Sequence, residues 1–256
     1  MPAKALRFQP RLFRDLATWW HLFSAPEDYA EEARFYRRTL NAFCKPRPRT
    51  VLELGSGGGN GAYHLKRSYE MTLVDLSPAM NELSSTINPG VEHIVGDMRT
   101  LRLKREFDAV FIHDAVNYMI TEADLRAAIE TAFVHLRPGG AALFGPDAVR
   151  ETFEPDTLCG GKDAPDGRAL RYLNWVSDPD PTDTHYALDF AYTLREPDGT
   201  VRVEQDRHLY NLFSRAEWLR FVREAGFRAR AVTFDHSEVG KLIAFVGTVP
   251  VERGSR

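Results

Sequence analysis

Between residues 12 and 43 the apolar positions recur at three- and four-residue intervals: Leu12, Leu16, Trp19, Trp20 and Phe23, then Tyr29, Ala33, Tyr36 and Leu40. That spacing predicts two helices parted at Ser24-Ala-Pro26, the second opening on Pro26, Glu27 and Asp28, as a helix start prefers. Lys45-Pro-Arg-Pro-Arg49 stops it, because prolines cannot continue a helix. From residue 50 the pattern becomes short apolar runs alternating with amphipathic stretches. Strands are expected at 50–54, 71–74, 91–95, 107–112 and 141–144, and helices at 59–68, 77–87 and 122–136, the last closed by Arg137-Pro-Gly-Gly140. Five strands interleaved with helices predict a parallel, doubly wound α/β sheet.

After Gly145-Pro146 the period changes to two. Tyr186, Leu188, Phe190, Tyr192 and Leu194 alternate with His185, Ala187, Asp189, Ala191 and Thr193, which marks a strand with one apolar face. Pro197-Asp-Gly199 turns it into an antiparallel return over 201–210, with 170–176 as a third strand. A helix over 214–224 has a capping box in Ser214 and Glu217 and ends at Gly226, and strands at 229–234 and 242–248 close the chain. The division expected is a helical cover over 1–45, a sheet core over 46–146 and 213–250, and an antiparallel insertion over 147–212.

Composition narrows the field without choosing within it. At 43% hydrophobic and 27% charged, the 256 residues are ordinary for a globular chain. A net charge of -3 argues against a protein that depends on a nucleic-acid backbone and favours a small-molecule substrate. Cys44 and Cys159 have neither metal-ligand spacing nor the numbers for a disulfide framework. The first residues, Met1 to Arg11, lack the apolar core of a signal peptide, and no run approaches the roughly 20 apolar residues of a membrane span. The expectation is a cytoplasmic protein without a membrane association.

The chemistry begins at Val51-Leu-Glu-Leu-Gly-Ser-Gly-Gly-Gly-Asn-Gly61. A glycine turn at a strand's end lets the backbone approach a ligand that a Cβ would block, and Asp75, ending the next strand 20 residues after Gly55, can accept hydrogen bonds from a ribose diol. The glycines run Gly55-x-Gly57-x-Gly59, whereas the dinucleotide fingerprint needs glycine at position 60 and finds Asn60. Alone, this fits nicotinamide, flavin or S-adenosylmethionine. Gly96-Asp97-Met98 adds a carboxylate able to accept an adenine amine and a Met to pack on the base.

Taken in order, Glu53-x-Gly55-x-Gly57-x-Gly59, Val74-Asp75-Leu76-Ser77, Gly96-Asp97-Met98, the Phe107-Asp108 strand and Leu136-Arg-Pro-Gly-Gly140 resemble the class I S-adenosylmethionine-dependent methyltransferases. The resemblance implies a Rossmann-like, mostly parallel seven-stranded sheet with helices on both faces, its last strand inserted antiparallel beside the sixth. It implies S-adenosyl-L-methionine as cofactor, with Gly55, Ser56 and Gly57 near the methionine part, Glu53 orienting the turn or the ammonium group, Asp75 on the ribose, and Asp97 and Met98 at the adenine. Leu76 and Met80 would wall the base, or serve only as core. More narrowly, the chain resembles the small-molecule branch that includes glycine/sarcosine and nucleotide-aminosugar N-methyltransferases. There an N-terminal helical segment covers the cofactor and an antiparallel insertion roofs the substrate, as 12–43 and 168–210 would here. That branch often carries a Tyr-Asp pair where this chain has Trp19-Trp20, and Tyr29 is the candidate contact for the cofactor carboxylate.

The acceptor would meet His113-Asp-Ala-Val-Asn-Tyr118, just after strand four. His113, placed against cofactor and acceptor, Asp114 and Tyr118 are the candidate catalytic residues, though each residue type also caps strands and turns. On the insertion, His185, Asp189, Arg207, His208 and Tyr210 could face substrate or simply water. Methylation of an amine is the favoured reaction, with a hydroxyl or carboxylate acceptor, an inactive cofactor-binding fold and a nicotinamide oxidoreductase as alternatives. Nucleic-acid base methylation would want Asn/Asp-Pro-Pro-Tyr/Phe where the chain reads His113-Asp-Ala-Val. Asp114 and Asp147 alone are too few ligands for a metal, so no metal is expected. Exposed aromatics could support a homodimer.

Overall fold

The structure, a computed structural model, describes residues 10–237 and 240–251. Residues 1–9, read above for a signal peptide, lie outside them. Strands β1 (Thr50–Leu54), β2 (Glu70–Asp75), β3 (Glu92–Val95), β4 (Phe107–His113) and β5 (Leu136–Gly145) run parallel, and β10 (Arg228–His236) and β11 (Gly240–Thr248) complete a sheet of order β10-β11-β5-β4-β1-β2-β3. The last strand, β11, lies antiparallel between β5 and β10, as the sequence led one to expect.

Alternate residues of the central strands serve opposite faces because side chains on a strand point to alternate sides. Leu52, Val110 and Ile112 pack with α5 (Glu122–Val134) and α6 (Arg215–Glu224) through Leu125, Ile129, Trp218 and Phe221. Val51, Ala109 and Phe111 face α2 (Ala30–Phe43) and α3 (Asn60–Leu65) through Tyr36, Leu40 and Leu65. Helix α4 (Pro78–Ile87) starts where Ser77 Oγ accepts the Met80 N–H, and α6 starts on the Ser214 and Glu217 box. Among the described residues no helix is long and apolar enough to cross a membrane.

Strands β6 (Asp156–Gly160), β7 (Ala169–Ser177), β8 (His185–Arg195) and β9 (Val201–Asn211) form a separate antiparallel sheet in that order. Its apolar face, with Leu170, Tyr186, Leu188, Phe190 and Leu194, closes over Leu12, Leu16 and Trp19. Strand β6 escapes the sequence pattern because it is short and mostly exposed, and exists by pairing with β7.

Two local expectations are corrected. Residues 11–23 are not one helix but 3-10 turns at Arg11–Phe13 and Ala17–Trp19 followed by the short α1 (Trp20–Phe23). Beyond the turns' own hydrogen bonds, the backbone there is met from outside: Asp206 Oδ2 accepts the Leu12 N–H at 3.1 Å and Ser77 Oγ donates to Phe13 O at 2.5 Å. Arg137-Pro-Gly-Gly140 does not merely close a helix; it is a bulge inside β5, where register passes from Phe107↔Leu136 to Ala109↔Ala141. A bulge tolerates a proline that cannot donate to the ladder, and Arg137 is tied there to Asp108.

Candidate active site

The carboxyl edge of the parallel sheet forms the floor of a cavity of about 760 Å³, closed from above by the antiparallel sheet and residues 10–29. Gly55 adopts φ 73°, and a Cβ there would stand 2.2 Å from the Ala115 Cβ, so this corner of the floor admits only glycine. The Gly55 and Ser56 N–H groups both donate to Val74 O, at 2.7 and 3.0 Å. Asp75 is gripped on both oxygens: Oδ2 accepts from Gly57 N and Oδ1 from Ser77 N, each at 2.8 Å. Burial raises its pKa and the two N–H groups pull it back. Each oxygen keeps lone-pair capacity for a ligand.

Of the candidates named from sequence, Tyr29, Glu53, Gly55, Ser56, Gly57, Asp75, Leu76, Asp97, Met98, His113, Asp114 and Tyr118 all line this cavity. Met80 does not; it is fully buried behind the turn, its methyl 3.8 Å from where a Gly57 Cβ would stand. Asp97 lines the wall, but its carboxylate already holds Arg99 through both oxygens, and Arg99 reaches on to Asp124 at 3.0 Å.

Where β1 meets the cavity, four buried polar atoms lack a protein partner: Glu53 Oε2, Ser56 Oγ, Asn60 Oδ1 and Trp20 Nε1. Unpaired buried groups are costly, and this set of a carboxyl and an amide oxygen, one hydroxyl and one indole donor suits a zwitterion that brings its own ammonium and carboxylate. Burial pushes the Glu53 carboxyl up to about 8. Trp20 lies over Gly58, where a Cβ would meet its ring at 2.3 Å, while neighbouring Trp19 is turned away into the roof core.

His113 sits where two cavities meet, its Nε2 2.7 Å from Asp114 Oδ1 and 3.4 Å from Glu32 Oε2. Burial opposes its charge, but Asp114 and Glu32 overcome it and push the imidazole up to about 10. It is therefore a fixed cation near neutral pH rather than a base. Enclosure opposes charge on Asp114 as well, yet His113 holds that carboxyl below its ordinary range, and Tyr29 donates to Asp114 Oδ2 at 3.5 Å. Asp147, held by Asn117 Nδ2 at 2.7 Å, is driven well above the carboxylate range by enclosure and then by the Asp114 charge.

On the roof side, Tyr118 reaches His208 Nδ1 at 2.8 Å and the Tyr210 hydroxyl at 3.2 Å. Arg207 also borders the cavity but is paired with Asp189 at 2.6 Å; Asp189 and His185 lie outside the lining. Glu32 and Asp206 were not among the candidates, and Asp147 was weighed only as a metal ligand. The signal for Asp147 was available, since it follows β5 much as Asp75 ends β2. Glu32 and Asp206 carried none beyond ordinary helix and strand alternation. Among the described residues no group of three or more His, Cys, Asp and Glu could hold a metal.

A family model described as a methyltransferase domain matches residues 51–140. The chain is 29% identical to the dTDP-3-amino-3,4,6-trideoxy-alpha-D-glucopyranose N,N-dimethyltransferase of Streptomyces venezuelae, over 84% of this chain and 87% of that protein. It is 26% identical to the dTDP-3-amino-3,6-dideoxy-alpha-D-glucopyranose N,N-dimethyltransferase of Streptomyces fradiae, over 78% of each. Among solved structures, DesVI of Streptomyces venezuelae superposes with a TM-score of 0.76 at 27% identity, covering 92% of this chain and 98% of that one.

Proposed function

We propose that this protein, a class I S-adenosylmethionine-dependent methyltransferase acting on the amine of a small molecule, takes as acceptor the amino group of a nucleotide-linked sugar. The observation that carries this reading is the carboxyl-rich lining of the shared cavity. Among the described residues six carboxyl groups line it: Asp75, Asp97, Asp114 and Asp124, with Glu53 and Asp147, which enclosure holds toward the protonated form; its cations Arg99, Arg207 and His113 are each paired with a carboxylate. Such walls favour an ammonium and oppose the oxyanion that O-methylation would develop. The two curated relatives act, by their names, on amino sugars carried on dTDP.

In this reading the cofactor supplies a methyl group on a sulfonium, already a good leaving group, so positioning does most of the protein's work. Gly55, Ser56 and Gly57 take the methionine part, with Glu53 facing its ammonium and Tyr29 its carboxylate. Asp75 takes the ribose diol, Met98 and Leu76 pack on the adenine, and Asp97 reaches its amine at the cost of sharing lone pairs with Arg99. Met80 supports the turn from behind. His113, held cationic, fixes Asp114 and keeps that carboxylate charged toward the acceptor. The protein is placed in the cytoplasm, acting without nucleic acid or membrane.

Equilibrium binding tests the cofactor half: S-adenosylmethionine and its demethylated product should bind and NADH should not. Asp75→Ala should weaken that binding by about 1 to 3 kcal/mol, having lost charge-assisted hydrogen bonds to the ribose; unchanged affinity would remove Asp75 from the ribose site. Mass spectrometry tests the acceptor half. The dTDP-3-amino sugar should gain one and then two methyl groups, and methylation of hydroxyl compounds in its place would turn the reading to O-transfer.

A further inference from the structure

The cavity holds a second proton-carrying assembly, which joins Tyr118 to residues of β9 remote in sequence from His113. Tyr118 stands on the 3-10 turn after β4, while Asp206, His208 and Tyr210 follow one another at alternate positions of β9 and so share a face. The Tyr118 hydroxyl is 2.8 Å from His208 Nδ1, and His208 Nε2 is 3.2 Å from Asp206 Oδ2, which also accepts the Leu12 N–H. His208 is 2% exposed and the Asp206 side chain 7%.

Directionality follows from donor chemistry. A carboxylate only accepts, so Nε2 carries the imidazole proton, Nδ1 presents its lone pair, and the Tyr118 hydroxyl donates to it. The Tyr210 hydroxyl can then donate only toward the Tyr118 oxygen, whose remaining lone pair is left for a ligand in the cavity that all three rings line.

We propose that Tyr118, His208 and Asp206 form the relay that removes the proton from the acceptor ammonium before methyl transfer, an inference that rests on the amine reading above. An ammonium proton passes to the Tyr118 oxygen as the Tyr118 hydroxyl proton passes to His208 Nδ1, leaving an imidazolium against Asp206. The freed nitrogen lone pair forms the nitrogen–carbon bond while the carbon–sulfur bond breaks and its electrons leave on sulfur. When product departs, the proton returns through Tyr118 to water.

Tyr118 is the catalytic residue, touching the acceptor; His208 and Asp206 are positioning residues that act through it. Burial holds the Tyr118 phenol well above its ordinary range, with the Tyr210 hydrogen bond pulling it back. It therefore accepts a proton only while handing on its own, which is why the imidazole behind it is needed. Among the described residues the titratable groups facing the assembly are Asp206 and Tyr210 from β9, Tyr186 and Tyr192 from β8 and Asp147 across the cavity. The N-terminal segment contributes the Phe13 ring, 5.5 Å from Tyr118 and 5.8 Å from His208.

Two measurements test the relay. In the wild-type protein labelled with nitrogen-15 at histidine, with His208→Gln to assign the signal, neutral His208 should carry its proton on Nε2 and leave Nδ1 bare. A proton on Nδ1, or an imidazolium persisting across the neutral range, overturns the relay without any turnover being measured. With saturating S-adenosylmethionine and the dTDP-3-amino sugar, Tyr118→Phe and His208→Gln should each lower kcat about 100-fold near neutral pH and leave the KM for cofactor unchanged. The loss should shrink as pH rises through the acceptor ammonium's own pKa, because the amine then arrives neutral. A loss equal at every pH overturns the relay and leaves amine methylation standing, whereas a wild-type protein that binds cofactor but methylates no amine overturns both.

Discussion

On the floor of the cavity, Gly55, Ser56, Gly57, Asp75 and Ser77 hold one another through backbone N–H groups within two strand ends. On the roof, Tyr118 meets His208 90 residues away, and Asp206 meets Leu12 across 194. The floor is made from main chain, whose positions the local turn dictates, and the roof from side chains, whose positions depend on how separate segments dock. A main-chain site tolerates little change where it stands but is indifferent to distant residues. A side-chain site accepts new residue types and so can vary with the acceptor while the cofactor stays the same.

The sharpest way to break this contrast is a matched pair of glycine substitutions. Gly55 on the floor and Gly199 in the β8–β9 turn both have positive φ, at 73° and 87°, but a Cβ at Gly55 collides with Ala115 while one at Gly199 meets nothing within 4 Å. Gly55→Ala should cost about 2–4 kcal/mol of unfolding free energy in urea, from strain plus overpacking, and abolish cofactor binding. Gly199→Ala should cost only about 1 kcal/mol and leave binding intact. Equal losses would mean that the floor is no stiffer than the roof.

A second contrast lies in pH. Glu53 is 4% exposed, and its pKa rises on folding from 4.5 to about 8. Above 4.5 the unfolded chain releases this proton and the folded one keeps it, so Glu53 favours the fold at low pH, and that contribution is lost as pH rises through about 8. In that window it should erode stability by up to ~1.4 kcal/mol per pH unit. Denaturation of Glu53→Gln at several pH values should show this slope removed, and an unchanged slope would place the titration elsewhere. The smallest effect is expected at the roof's outer rim. Arg207, 64% exposed in its side chain, is paired with Asp189, and Arg207→Ala should shift stability by less than about 1 kcal/mol, as exposed ion pairs do. A larger loss, read by the same denaturation, would make this rim part of the structural core.

Most of the floor was legible in the chain because its signals are local. Strand periodicity, a glycine turn and an acid at the next strand's end each span a few residues, and they led to Gly55, Gly57 and Asp75 together with the parallel, doubly wound sheet. Asp147 shows the limit of that legibility: it follows its strand's end closely, as Asp75 ends its own, yet only the fold brings it against Asp114 and turns it into a proton-holding group. The run from Leu12 to Phe23 has helical spacing but is not one helix: it folds as short turns docked under the roof, where Asp206 takes the Leu12 N–H and Ser77 Oγ donates to the Phe13 carbonyl that a helix would have bonded internally. His113 was legible as a pocket residue but not as a cation, because its charge is set by burial against neighbouring Asp114 and then Glu32 from α2, 81 positions earlier in the chain, and the packed chain alone brings these together.

By itself, then, the sequence determined the alternation of strands and helices, the glycine turn and the acids at the strand ends, because these follow from backbone sterics and hydrophobic period over short stretches. Only the tertiary structure decided which side chains close the cavity from above, which carboxyls stay charged, and that Tyr118, His208 and Asp206 stand in line. Burial and the meeting of charges from distant segments are properties of the packed chain, and no local pattern encodes them.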